Sequence, residues 1–97
     1  MLCFSISQCF VDITREEETI RFDFYRLDVQ RSTVRIHANK LREALSSDER
    51  IEDEDQHFAM FRPSENHLLR LVLKRKGDRV PVLLNDREVE QLRNLVA

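Results

Sequence analysis

Strict alternation of apolar and polar residues constrains this chain more than any other feature. Ile20, Phe22 and Phe24 are interleaved with Arg21, Asp23 and Tyr25. Leu69, Leu71 and Leu73 are interleaved with Arg70, Val72 and Lys74, and Val80, Val82 and Leu84 with Pro81 and Leu83. A period of two sends alternate side chains to opposite sides of a ribbon, so these stretches read as strands with one buried face. Val34 and Ile36 continue the pattern around Arg35 and His37. Near the start, Phe4 and Ile6 alternate with Ser5 and Ser7, but Val11 and Ile13 take the opposite parity. That phase change predicts a bulge or strand end around Gln8–Phe10. His57–Phe61 adds a short apolar stretch of strand character.

Punctuation between the strands follows turn chemistry. The acidic Thr14–Glu18 stretch reads as a hairpin loop. The second strand is expected to run on through Leu27 and Val29 to a turn at Gln30-Arg31-Ser32, and a further turn falls at Arg62-Pro63-Ser64-Glu65-Asn66. Gly77 is the only glycine, and it stands between two alternating runs, where a hairpin needs positive φ. Pro81 cannot donate to a ladder, which assigns its strand to a sheet edge or a bulge.

Two segments switch to helical spacing. Asn39 stands where a helix N-cap belongs, followed by Leu41, Ala44 and Leu45, with an end near Ser46-Ser47. Asn85 precedes a second helix, Glu88 completes a capping box, and Val89, Leu92, Leu95 and Val96 form the buried stripe. The expected architecture is α+β, one antiparallel sheet with two helices packed on one face. It reads as a βββα–βββα pseudo-repeat in which Val34–Asn39 answers Val80–Asn85. At 97 residues the chain is the size of one domain, 1–97, with 48–57 as an exposed acidic connection between the halves.

Charge is distributed unevenly around a net of −2, which argues against a dedicated duplex-DNA binder. Residues 1–18 carry −3, 19–45 carry +3, 46–57 carry −5, 58–81 carry +4 and 82–97 carry −1. The basic blocks coincide with the strands. Thirteen of the 16 basic residues are arginine, the side chain suited to planar, bidentate contacts with carboxylate or phosphate. No apolar run approaches the ~18 residues that span a bilayer. The N-terminus lacks a basic n-region, and Ser5, Ser7 and Gln8 interrupt its apolar stretch, so no signal peptide is expected. Cys3 and Cys9, read on one strand, stand about 20 Å apart at ~3.3 Å per residue, too far for a disulfide. Free thiols suit a cytoplasmic setting.

Parity also places the candidate functional residues. If the apolar set faces the helices, the opposite face gathers Arg21, Asp23, Tyr25, Arg35, His37, Arg70, Val72, Lys74, Arg79, Pro81 and Leu83. Six are basic or potentially basic, and Val72, Pro81 and Leu83 are more apolar than a solvated face requires. The residues expected to carry binding are Arg21, Tyr25, Arg35, Arg70, Lys74 and Arg79. His37, His57 and His67 lie 20 and 10 residues apart, without metal-ligand spacing, and no local motif pairs a nucleophile with a base. There is no glycine-rich phosphate loop. Neither a metal, a cofactor nor catalysis is therefore expected.

These features describe a small non-catalytic interaction module, a regulator or inhibitor, that meets a protein partner or a second copy of itself through an Arg-rich sheet face or edge. The alternative use of the same face is single-stranded nucleic acid, with phosphates on the arginines and bases on Tyr25, His37 or Phe61. The acidic run Asp48–Asp55 reads as a hydrated linker, or as an imitation of a phosphate array aimed at a basic partner.

Overall fold

The computed structural model describes residues 2–6, 9–47, 49–62, 68–75 and 78–97, with backbone alone at 2–6, 75 and 78. Among these described residues, eight strands and two helices follow one another as β1 (Leu2–Ile6), β2 (Cys9–Glu16), β3 (Thr19–Arg26), β4 (Val29–His37), α1 (Ala38–Ser47), β5 (Ile51–Asp53), β6 (Phe58–Phe61), β7 (Leu69–Arg75), β8 (Asp78–Leu84) and α2 (Asp86–Val96). The class is α+β with antiparallel strands throughout. The strands do not form the single expected sheet. They form two four-stranded meanders, ordered β1-β2-β3-β4 and β5-β6-β7-β8, each followed by a helix.

Every strand residue read as inward-facing is buried: Ile20, Phe22, Phe24, Val34, Ile36, Leu69, Leu71, Leu73, Val80, Val82 and Leu84. They belong to one apolar cluster drawn from both halves of the chain. The two sheets turn their apolar faces toward each other, which the rings show directly. Phe58 of β6 lies 5.3 Å from Phe22 and 5.9 Å from Phe24 of β3. The last strand, β8, lies against β1 and β2 of the other sheet, while α2 touches β1 and β8 and packs on α1.

Each repeat has four strands where three were expected, for two local reasons. The phase change near Phe10 marks a new strand: β1 pairs with β2 in register Ile6↔Cys9 and Leu2↔Ile13. Cys3 and Cys9 therefore sit on different strands, and Cys9 is a buried free thiol. In the second half, the acidic connection supplies β5, anchored by the buried Ile51.

The β3–β4 turn also falls elsewhere than expected. It is Leu27-Asp28, with φ of 53° and 63°, so both central residues are left-handed and the turn matches the twist of its strands. A leucine there costs roughly 1–2 kcal/mol relative to its right-handed state. Hydrophobicity ran the sequence reading through this turn, but Leu27 and Val29 are 58% and 52% exposed. Residues 30–32, read as a turn, lie inside β4, where the register shifts between Phe24 and Tyr25. Gly77 and most of the Arg62–Asn66 turn lie outside the described residues, but β7 and β8 pair as an antiparallel hairpin. Pro81 sits on an edge strand, as its missing N–H requires.

The two helices start differently. Asn85 caps α2 with a complete capping box: its side chain accepts from Glu88 N–H at 2.9 Å and Glu88 accepts from Asn85 N–H at 3.0 Å. Helix α1 begins one residue before Asn39, so that asparagine is not the cap. The His37 ring takes the role, its Nδ1 accepting from Asn39 N–H at 3.2 Å. The internal repeat is thereby re-registered. With His37 set against Asn85, Val34 falls on Val82, Ile36 on Leu84, Leu41 on Val89 and Ala44 on Leu92. Setting Val34–Asn39 against Val80–Asn85 is therefore two residues out of this register.

Leu71 and Phe58 are core, and Arg35 and Arg70 lie on outward faces. Urea unfolding of Leu71→Ala is expected to show a loss of about 2–5 kcal/mol, and of Phe58→Ala about 3–5 kcal/mol. Arg35→Glu and Arg70→Glu stay within about 1 kcal/mol each.

Candidate functional site

The six arginine, lysine and tyrosine candidates divide between two surfaces. Arg21, Tyr25 and Arg35 project from the outer face of the first sheet, and Arg70, Lys74 and Arg79 from the outer face of the second. The sheets cover each other with their inner faces, so these are separate surfaces. A single shared face is thereby corrected: parity within each strand was sound, but it carried no information on which strands share a sheet.

The first surface is internally neutralised. Arg21 lies directly opposite Arg35 across β3 and β4, and both reach Glu16, at 3.3 and 3.4 Å. Arg21 Nε also donates to Asp23 at 3.0 Å. Asp23 accepts further from Thr33 Oγ1 at 2.6 Å and Gln30 Nε2 at 3.3 Å, so this buried carboxylate has three donors. His37 Nε2 faces Glu18 at 3.6 Å. Tyr25 is stacked on Phe10, with centroids 4.5 Å apart and planes 5° from parallel, which covers one face of its ring. The edge of this sheet is sealed at one point. Gln56, from the β5–β6 turn, accepts from Arg35 N–H at 2.7 Å and donates to Arg35 C=O at 2.8 Å. Its side-chain amide thus makes the pair of bonds a neighbouring strand would make, and Asp53 holds it in place at 2.8 Å.

The second surface is a groove. A concavity of about 440 Å³ opens along β7 and β8, lined by Phe61, Arg70, Val72, Lys74, Arg79, Pro81 and Leu83. Its rungs are cross-strand pairs: Lys74 opposite Arg79, Val72 opposite Pro81, and Arg70 opposite Leu83. Phe61 stands beside Arg70 on the next strand. Val72 (5% exposed) and Ala59 (0%) are buried without joining the core cluster, so the outer side chains themselves cover them. This marks a second, smaller apolar layer on the outside of the sheet.

The electrostatics differ along the groove. Lys74 meets Glu52 of β5 at 3.3 Å, and Arg50 meets the same carboxylate at 3.2 Å. These two cations hold the Glu52 carboxyl below the usual glutamate range, the Lys74 hydrogen bond contributing most. Hydrogen bonds from Gln56 likewise hold Asp53 below the usual aspartate range. The Phe61 ring carries the Arg50 guanidinium at 4.7 Å and that of Arg70 at 5.7 Å from its centroid. Among the described residues, no carboxylate lies within ion-pair distance of Arg70 or Arg79. The Arg79 carbonyl accepts from Arg26 of the first sheet.

Sequence reasoning placed Arg70, Val72, Lys74, Arg79, Pro81 and Leu83 together correctly. It missed Arg50 and Glu52, which β5 brings beside them. The only signal for that strand was Ile51, one apolar residue inside a charge run. Glu16 was also missed as the shared partner of Arg21 and Arg35. Among the described residues, no three His, Cys, Asp or Glu side chains gather as a metal site, and His67 lies outside those residues. No helix is long and apolar enough to cross a membrane.

Since the folded-state values of Glu52 and Asp53 are depressed, their pairings stabilise above the unfolded values near pH ~4. They are lost as pH falls through the lower folded values. In an NMR titration, Lys74→Ala is expected to raise the Glu52 midpoint toward that of an ordinary glutamate. An unmoved midpoint removes this ion pair from the description of the groove.

Comparison with known proteins returns no match: no family model, no curated protein and no solved structure aligns with the chain.

Proposed function

We propose that this protein is a small non-catalytic interaction module, a regulator or inhibitor, whose docking surface is the groove on the second sheet. The supporting observation is the conjunction of Arg70 and Arg79, without carboxylate partners among the described residues, with the apolar floor of Val72, Pro81 and Leu83. Such a surface complements a protein segment that carries both carboxylates and aliphatic side chains. Arginine is the charged side chain that contributes most often at the centre of interfaces. The buried, reduced Cys9 suits a cytoplasmic setting for this role.

Single-stranded nucleic acid is the second reading, favoured by the proximity of Phe61, Arg50, Arg70 and Lys74 on one face. Three observations weigh toward a protein. Glu52 already sits among those cations. Phe61 is engaged with two guanidinium groups, and Tyr25 is stacked on Phe10. The remaining candidate arginines, Arg21 and Arg35, are paired to carboxylates, which leaves no continuous cationic track for a phosphate chain among the described residues.

Selection of displayed random peptides against the immobilised protein tests the proposal. The enriched sequences should combine Asp or Glu with aliphatic residues, and their binding should fall about tenfold or more with Arg70→Glu plus Arg79→Glu. Arg21→Glu should leave it unchanged. Failure to enrich, together with oligothymidylate binding that weakens steeply above ~50 mM salt, overturns the protein reading in favour of nucleic acid. Light scattering at high micromolar concentration assigns any self-association to the same groove only if the Arg70→Glu, Arg79→Glu variant abolishes it.

A further inference from the structure

The groove's geometry restricts the shape of its occupant as well as its chemistry. We infer that the partner segment is an amphipathic α-helix with carboxylates about two turns apart and an aliphatic residue midway between them. This deepens the reading of the groove as a protein-docking surface and rests on it.

Two observations lead there. The first is the spacing of Arg70 and Arg79, which have no carboxylate partner among the described residues. Arg70 and Arg79 belong to the first and last of three successive rungs, Arg70–Leu83, Val72–Pro81 and Lys74–Arg79. The outer rungs are four residues apart, about 13 Å at ~3.3 Å per residue. At the Lys74–Arg79 end, Lys74 is already committed to Glu52 at 3.3 Å, which leaves Arg79 to receive an incoming carboxylate. At the other end, Arg70 meets only the Phe61 ring among the described residues. Between them lie Val72 and Pro81, which accept an apolar side chain and offer no charge.

The second observation concerns backbone hydrogen bonds. The floor of the groove is a sheet face. Strand β7 has β6 on one side and β8 on the other, so its peptide groups are spent in the two ladders. On the free side of β8, the Arg79 carbonyl is taken by Arg26. The surface therefore offers an incoming segment side chains and little main chain. A segment that lies on it must satisfy its own peptide groups, and a helix does so internally. An extended strand laid across Val72 and Pro81 would press unpaired peptide groups against an apolar floor, which is costly. On a helix, residues i, i+4 and i+8 share one side and span about 12 Å at ~1.5 Å per residue. Glutamates at the outer two positions then reach Arg70 and Arg79, with a leucine at the middle one over Val72 and Pro81.

The test uses fluorescence anisotropy with the full chain and three labelled synthetic peptides. One is an alanine-based helix with Glu at i and i+8 and Leu at i+4. The second has the same composition with its two Glu adjacent. The third has a central proline that prevents the helix while keeping the side-chain order. The first should bind about tenfold or more tighter than the other two. It should lose that advantage on Arg70→Glu plus Arg79→Glu, in a variant whose circular dichroism and melting temperature match the parent. Equal binding of the proline peptide overturns the helix while leaving the acidic–apolar protein reading intact. Equal binding of the adjacent-Glu peptide overturns the two-point spacing. Binding of oligothymidylate with none of the three peptides overturns both this inference and the reading beneath it.

Discussion

The contact of Phe58 with Phe22 and Phe24 is the interaction on which the rest of the molecule depends. Alternation gives each meander one apolar face, and a face of that size cannot stay in water. In a chain this short two independent cores are out of reach, so each sheet serves as the other's cover. The three rings meet at the centre of that arrangement, two from β3 and one from β6. Their position leaves the outer faces of the two sheets as separate surfaces.

The helices complete the enclosure through an exchange between the repeats. Arg42 of α1 donates to the Val96 carbonyl near the end of α2 at 3.1 Å. Arg93 of α2 donates to the Leu45 carbonyl near the end of α1 at 3.1 Å. Arg15, from β2, adds bonds to the Leu95 and Ala97 main-chain oxygens at 2.9 and 2.8 Å. The last carbonyls of a helix lack internal donors and carry the negative end of its dipole, so arginine is well matched to them. Part of the arginine excess is thus structural. It holds the two helices tail to tail and takes no part in the groove.

Much of the fold was legible in the sequence, because burial on one face of a strand is written at a period of two. Ile20 through Phe24, Leu69 through Lys74 and Arg79 through Leu84 were read correctly, inward and outward residues alike. The capping box at Asn85 was equally plain, since its two bonds depend on residues three apart. What could not be read was pairing between distant strands. Nothing in the residues near Arg21 or Arg70 says that they lie on different sheets. One turn misled for a local reason: Leu27 is apolar yet exposed at a left-handed position. Half of the candidate site was therefore found, the half whose members are neighbours on one hairpin. Arg50 and Glu52 arrive from a strand of three residues that barely differs from a charged loop.

Gln56 has a consequence for how these molecules behave in a crowded solution. Strand β4 is nine residues long and borders its sheet, the kind of border along which one protein can knit itself onto the next. The Gln56 carboxamide fills the place where a newcomer's main chain would have to engage Arg35. A foreign ribbon pairing along β4 from the Val29 end meets the occupied Arg35 rung before it reaches the helix.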